Sequence, residues 1–464
     1  MAKSVSDTEM GVRDSAGSVS NHAGNGSHFY IEEPSSVMQD QLQEDHPKSA
    51  HRLGHDPWYQ LGLLLAASFN CGYILGFSNF IMKPLGWTWG PLLMAVVAVI
   101  SIYANWLLSK LHIIDGKRFI RYRDLMGFVF GRQMYYVTWI LQFLLFILGN
   151  MGFLILSGGA LKQIYMEASN SSKMTLQEFI IISGVVYFVF SFLVPHLSAM
   201  RMWIGISAFL TFIYIVILMK ISISDGMSNS KNYNLLGSRA DKVFNGFNAI
   251  ASIIFASNSG MVPELQASLR KPSIKNMHKA LYFQFTVGLA VYYTVTIVGY
   301  WAYGSSVSTY ILNELSGPKW AKILANTTVY LQIIVSQHMF CTPVHETLDT
   351  KFYRINENEY SSYNMFVRFS LRSIFFTINT FIAAIFPFLG DFVNLMGSVS
   401  LIPLTFIFPS LIILKVKGSK ISFFETIWHF LIVITFSLLT MATTISSFHS
   451  IISDAKTYHL FANT

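Results

Sequence analysis

A carboxylate follows a run of small and polar residues in the segment IIFASNSGMVPELQ, residues 253–266. Ala256, Ser257, Asn258, Ser259 and Gly260 come first, then Pro263 and Glu264. The segment opens on lipid-soluble Ile253, Ile254 and Phe255, and beyond it the chain turns basic at Arg270 and Lys271. In a membrane this pattern has two chemical uses. A helix break frees backbone groups: N–H groups at a half-helix start attract an anion such as a carboxylate, and C=O groups at a half-helix end attract an ammonium. An amino acid supplies both charges. An intramembrane carboxylate is also a candidate proton carrier, because desolvation favours its neutral, protonated form. Glu264 would sit roughly 6 Å below the break by the helical rise. Structural pairing, or hydration from the side of Arg270, is the other role open to it.

A second stretch, LGLLLAASFNCGYILGFSNFIMKPLGW, has a matching interruption. Asn70, Cys71 and Gly72 divide it, Tyr73 and Gly76 follow, and Pro84 ends it. An unsatisfied backbone group in hydrocarbon costs several kcal/mol, so such a break survives where it lines a cavity or binds something. Small residues in a single helix also mark close helix packing. Two interruptions at equivalent places in two halves favour discontinuous helices around a transporter site. Other polar residues fall at bilayer depth. Gln142 and Asn150 lie within roughly 80° of one another on a helix, and either contacts a solute or ties helices together. Gln332 and Ser336, in LQIIVSQHMF, share a helix face. His338 beside them is a titratable group or a hydrogen-bonded structural one.

The elements that must position these residues are membrane helices. The chain has 464 residues, is 53% hydrophobic and only 12% charged, and has mean hydropathy +0.46. Soluble domains carry about 25% charged residues, so this surface faces lipid. With about 20 apolar residues per crossing, candidate spans fall near 58–83, 89–112, 134–164, 175–195, 202–223, 243–267, 280–303, 320–345, 366–386, 391–414 and 424–447. That makes about eleven. Residues 1–52, rich in Ser, Gly, Asn and Asp, read as a disordered tail. Residues 53–450 read as one polytopic unit, and 451–464 as a short tail on the opposite side. Basic residues crowd alternate loops: Lys117, Arg118, Arg121, Arg123 and Arg132, then Arg270, Lys271 and Lys275, then Lys351 and Arg354, then Lys415 and Lys417. The positive-inside rule makes that side, with the N-terminus, cytoplasmic. The net charge of +8 thus reads as membrane orientation rather than nucleic-acid binding. Asn170-Ser171-Ser172 is a glycosylation sequon in an outside loop. The two cysteines, Cys71 and Cys341, lie in apolar segments and read as small buried hydrophobes, not a disulfide framework.

The segments KPLGW, GKRFIRYRDLMGFVFGR, FASNSGMVPELQASLRKP, MHKALYFQFT, GYWAYGSSVSTYILN and FPFLGDFVNLMGSVSLIPLTF occur in this order along the chain. On them the sequence, from about residue 55 onward, resembles the amino acid/auxin permease family, and most closely its plant proline-transporter branch. The resemblance implies an all-α integral membrane protein with a LeuT-like fold, an inverted pair of five-helix repeats with helices one and six broken, plus one extra helix. It also implies proton-coupled uptake at the plasma membrane, with the proton as coupling ion and no cofactor. The branch implies proline, glycine betaine and 4-aminobutyrate as solutes. By analogy with the fold, backbone N–H groups around Asn70, Cys71, Gly72 and Tyr73 would hold the carboxylate, and carbonyls near 255–258 the amine. Asn150, Ser257, Asn258, Ser259, Gly260, Gln332 and Ser336 complete the candidate solute site, with Glu264 as candidate proton group. Phe255 either gates the pocket or is a core or lipid contact.

Other function classes have less to stand on. A membrane enzyme would need a clustered nucleophile, base or metal set, and HExxH, GxSxG, Cys/His clusters and Walker loops are all missing from the sequence. A non-transporting amino-acid sensor, or a carrier for other neutral amino acids, stays open. The partners expected are a small zwitterion or betaine and the bilayer. The sequence is silent on oligomeric state.

Overall fold

Hydrocarbon offers a backbone no water to bond, so a chain of this composition must satisfy its peptide groups within helices. The computed structural model describes residues 49–50, 53–69, 78–169, 173–228, 231–235, 237–306, 310–386 and 394–457, and these are helical almost throughout. Asn70, Cys71, Gly72 and Tyr73, nearly all of the N-terminal tail, the sequon at 170–172 and the C-terminal residues 458–464 lie outside the described residues.

The helices are α1 (Trp58–Phe69), α2 (Ser78–Lys110), α3 (Tyr122–Phe130), α4 (Arg132–Ser169), α5 (Leu176–Leu193), α6 (Arg201–Ser228) and α7 (Arg239–Ser257). They continue as α8 (Val262–Ser268), α9 (Ser273–Phe283), α10 (Leu289–Tyr303), α11 (Lys319–Phe352), α12 (Ser362–Ile385), α13 (Phe408–Lys417) and α14 (Phe423–Thr457). Wider π-helical turns lead into α10 and α13 at Gln284–Gly288, Met396–Leu401 and Pro403–Ile407. Among the described residues, eight helical stretches are long and apolar enough to cross a bilayer. The described residues of the candidate spans at 58–83, 243–267 and 320–345 are largely helical as well but fall short of that requirement. Polarity explains two of them: α7 and α11 bury amides and hydroxyls such as Asn248, Ser252, Asn326, Gln332 and Gln337 instead of facing lipid. Of the first span, the described residues are helical at Trp58–Phe69 and from Ser78 onward, and 70–77 lie outside them.

Outward faces are apolar, as lipid contact requires: Val185 of α5, Phe209 and Phe212 of α6, Phe381 of α12 and Leu438 and Met441 of α14 are all exposed. Packing repeats with an interval of five spans. The second span (α2) lies on the seventh (α10), the third (α4) on the eighth (α11) and the fourth (α5) on the ninth (α12). α14 packs on α7 and on the π turns before α13, outside this pairing.

Three turns set the site. Inside α2, Gly86 takes φ 65°, ψ −169°, so the chain leaves the first span and folds back into the second just after Pro84. Asp115 and Gly116, both at positive φ, close a two-residue hairpin between β1 (Ile113–Ile114) and β2 (Lys117–Arg118). The hairpin aims Arg118 Nη2 at the Ala267 carbonyl, 3.0 Å away at the end of α8. Finally, residues 54–56 run beside 267–270. Gly54 N donates to Ala267 O (3.1 Å), Asp56 N to Ser268 O (2.9 Å) and Arg270 N to Asp56 O (3.0 Å). The entry to α1 is thereby fastened to the exit from α8. The basic loops gather on this same side, hereafter the basic face.

Candidate solute and proton site

The sixth span is divided as its sequence implies. α7 ends at Ser257, Asn258 is extended (φ −138°, ψ 148°), Gly260 sits at φ 68° and α8 starts at Val262 with Pro263 in its first turn. Proline fits there because its missing N–H would be unpaired in any case. Only glycine takes φ 68° without strain, and a larger residue would also make neighbouring side chains shift. A Cβ on Gly260 would lie 2.5 Å from Leu145 Cδ2 and 2.9 Å from Leu401 Cδ2. The break is therefore wedged between α4 and the π turn before α13. Ser257, Asn258, Ser259 and Phe255 are all buried beside it.

The side chain of Asn258 fastens the break to α2. Its Oδ1 accepts from Asn105 Nδ2 (2.7 Å), and its Nδ2 donates to Ser101 Oγ (3.0 Å) and to the Ile254 carbonyl (2.9 Å). Both amide protons are thus engaged, and the backbone N–H donates to the Phe255 carbonyl (3.5 Å), which leaves the Asn258 carbonyl as the group to meet a solute. Replacing Asn258 by Ala would remove one of the two acceptors of the buried Asn105 amide, which would keep only the Ser101 carbonyl (2.8 Å). The expected cost is about 1–3 kcal/mol, read as a lower melting temperature of the purified protein.

Helix α11 brings in the remaining predicted residues. Gln332 Nε2 donates to Ser336 Oγ (2.7 Å) and to the Ala67 carbonyl (3.4 Å), so both residues stand beside the last described turn of α1. Asn150 of α4 accepts from Gln337 Nε2 (2.6 Å) and from Cys341 Sγ (3.3 Å), while Gln337 also reaches Cys341 (2.9 Å). Asn150 Nδ2 and Gln337 Oε1 are buried with no hydrogen-bond partner among the described residues. A free donor and a free acceptor thus lie together between α4 and α11. Gln337 escaped the sequence reading, although a second amide in LQIIVSQHMF was the available signal. Cys341 is a buried free thiol. His338 sets its ring edge-on to Phe190 of α5 and lies 6.2 Å from the ring of His345.

Below the break, Glu264 Oε1 accepts from the backbone N–H of Tyr122 (2.9 Å) and from Gln142 Nε2 (3.0 Å). The same Gln142 Nε2 donates to the Gly260 carbonyl (3.2 Å). One amide therefore touches both the break and the acid. Glu264 Oε2 is buried without a hydrogen-bond partner among the described residues. Glu264 lines a cavity of about 70 Å3 with Gln142, Phe146, Arg121, Arg123, Glu346 and Thr347, among others. Toward the basic face the cavity is bounded by a clamp. Arg121 grips Glu346 through Nη2 (2.5 Å) and Nε (3.1 Å), and Ser49 Oγ donates to the same carboxylate (2.7 Å). The carboxylate beside it holds the Arg121 guanidinium above its ordinary pKa despite burial. Deeper still, Asp349 and Arg372 form a fully buried two-point pair (3.0 and 2.6 Å) joining α11 to α12, which the sequence reading did not anticipate.

A divided helix with neutral amides and hydroxyls above it and a single acid below is the geometry of a carrier, and the family comparison decides which kind. Residues 55–451 match the family described as "Transmembrane amino acid transporter protein". The chain belongs to that family. It is a multi-pass membrane transporter of amino acids, not an enzyme. Among curated relatives, GABA transporter 1 of Arabidopsis thaliana is 29% identical over 425 residues, covering 88% of this chain and 93% of the relative. Lysine histidine transporter-like 6 of the same plant is 28% identical over 420 residues, covering 87% and 93%. Among solved structures, a point mutant of the Eremococcus coleocola manganese transporter superposes with a TM-score of 0.52 at 13% identity, covering 89% of this chain and 91% of that one. The same transporter bound to an aromatic bis-isothiourea compound gives 0.51 at 12%, with the same coverage. At such identities the likeness speaks for the fold alone. The family member described here has the LeuT-like fold that its sequence implied.

Proposed function

We propose that this transporter takes up small zwitterionic solutes, proline first and with it glycine betaine and 4-aminobutyrate, together with protons. In this reading it works in the plasma membrane, with its basic face and N-terminus cytoplasmic. The observation that carries the proposal is the single amide of Gln142, which bridges the Gly260 carbonyl and the Glu264 carboxylate. A solute ammonium seated in the break between α7 and α8 would compete with Gln142 for the Gly260 carbonyl. Binding above is thereby felt at the acid below.

The preference for zwitterions follows from charge. Among the described residues, the polar side chains at the break are Ser257, Asn258 and Ser259, with Ser101, Asn105 and Gln142 bonded to it, all neutral. Glu264 is the one nearby acid, and its Oε1 is already engaged twice. A solute with an additional charge would leave it buried and unpaired, at a cost of several kcal/mol. Proline places a carboxylate, two ammonium protons and a compact ring without that penalty. Betaine lacks N–H groups and would rely on carboxylate contacts and aromatic faces, with Tyr73 and Phe255 the candidates.

The test is uptake of radiolabelled proline in cells lacking their own proline permeases, at acidic and neutral outside pH. Uptake should rise with outside acidity and be competed by excess betaine or 4-aminobutyrate, but hardly by arginine or glutamate. Tyr73→Ala should weaken betaine competition more than proline uptake. Strong competition by lysine or arginine with none by betaine would move the chain toward the substrates named for its lysine histidine transporter-like relatives and end the zwitterion assignment.

A further inference from the structure

The cavity beneath Glu264 holds two guanidinium groups in different states. Arg121 is committed: it makes the two-point pair with Glu346 and lies 3.9 Å from Asp124. Arg123 has no carboxylate within ion-pair distance among the described residues. Its Nη1 donates to the Thr347 hydroxyl at 3.3 Å, and its plane lies 5.9 Å from the Tyr135 ring. Its Nε is buried with no hydrogen-bond partner among the described residues. Glu264 Oε2 is the other unpartnered buried atom on the same cavity wall. The two residues are also tied locally, because the backbone N–H of Tyr122, next to Arg123, donates to Glu264 Oε1.

We propose that Arg123 is the residue that drives the proton off Glu264 into this cavity, toward the basic face. In this step the Glu264 carboxyl gives its proton to water entering the cavity. The carboxylate left behind gains the positive charge of Arg123 as its counterion. Arg123 binds neither solute nor proton; it is a positioning charge that makes release favourable. The other charged or titratable groups near Glu264 do not take this part. Tyr122 offers its backbone N–H, while its hydroxyl donates to the Leu404 carbonyl at 2.7 Å. Arg121 is shared between two carboxylates, Asp124 and Glu346, so that group carries no spare positive charge for Glu264. The inference rests on Glu264 being the proton carrier.

Purified full-length protein in proteoliposomes tests it, with the outside held acidic and the lumen pH varied. Wild-type proline uptake should depend little on lumen pH around neutrality. Arg123→Gln should be slow at a neutral lumen and recover as the lumen is made alkaline, with the half-maximal point displaced upward by about one pH unit, the size expected for loss of one nearby opposite charge. Its proline affinity should stay at the wild-type value. Arg123→Lys, which keeps the charge, should restore the wild-type profile. The double variant Arg123→Gln/Glu264→Gln should match Glu264→Gln alone, since Arg123 acts only through the acid. A loss in Arg123→Gln that is equal at every lumen pH, or an additive loss in the double variant, would assign Arg123 to packing and overturn the proposal. So would a wild-type profile in Arg123→Gln. If Glu264→Gln itself keeps acid-stimulated uptake, the carrier reading has failed. If Glu264→Gln is blind to pH while Arg123→Gln behaves as wild type, only the role given to Arg123 falls.

Discussion

In Glu264→Gln, proline uptake should lose its stimulation by outside acid while proline binding stays near wild type. The substitution is suited to the question because the amide oxygen can accept the same two bonds, from Tyr122 N and Gln142 Nε2, that Glu264 Oε1 accepts now. What disappears is the site for a proton. A gradient of one pH unit is worth about 1.4 kcal/mol per proton, or about tenfold in accumulation. Loss of coupling should remove about that factor, and the uptake that remains should run downhill only. The measurement is proline accumulation against outside pH, paired with equilibrium binding to purified protein. Wild-type acid stimulation in Glu264→Gln would leave Glu264 a structural tie between α3, α4 and α8. Absence of the variant from the membrane would point the same way.

Gly397→Ala should cripple the protein, although it adds one methyl group in an apolar bundle. Gly397 lies in the π turn before α13, against the backbone of α7. A Cβ there would stand 2.3 Å from the Ala251 carbonyl oxygen and 2.9 Å from its carbon. These are backbone atoms that no rotamer change can move aside, so α7 itself would have to shift, about two turns before the break. Overpacking of this kind costs about 1–3 kcal/mol or more. A melting temperature well below wild type and uptake reduced at least about tenfold are expected, since about 1.4 kcal/mol already corresponds to that factor. Gly159→Ala in α4 is the control, because a Cβ on Gly159 meets nothing within 4 Å. It should leave melting and uptake as they are. Equal behaviour of the two variants would mean that the close approach of α7 and the π turn has no functional weight.

Much of the architecture was legible in local chemistry. A hydrophobic share of 53% with 12% charge forces helices in lipid, whatever their order. The break at 258–261 was legible because Asn, Gly and Pro each act on their own backbone: φ 68° at Gly260 and Pro263 in the first turn of α8 are properties of those residue types. The depth of Glu264 below the break followed from helical rise alone. Members of the candidate site on one helix, such as Gln332 and Ser336, were paired by their spacing, and they do bond to each other.

Partnerships between helices were decided by the tertiary structure. Asn258 was read as a solute contact, and only the approach of α2 shows its amide held by Asn105 and Ser101. Gln142 was left between two roles until the fold set one of its nitrogens between Gly260 and Glu264, residues 118 and 122 positions away. The Asn150–Gln337 pair and the Asp349–Arg372 pair likewise join different helices, across 187 and 23 positions. The difference has a physical origin. Helix propensity, φ preference and hydrophobic burial act over a few residues, so the sequence carries them in the open. A buried amide or guanidinium must find a partner somewhere, but which one it finds depends on how the helices cross, and that is a property of the packed bundle alone.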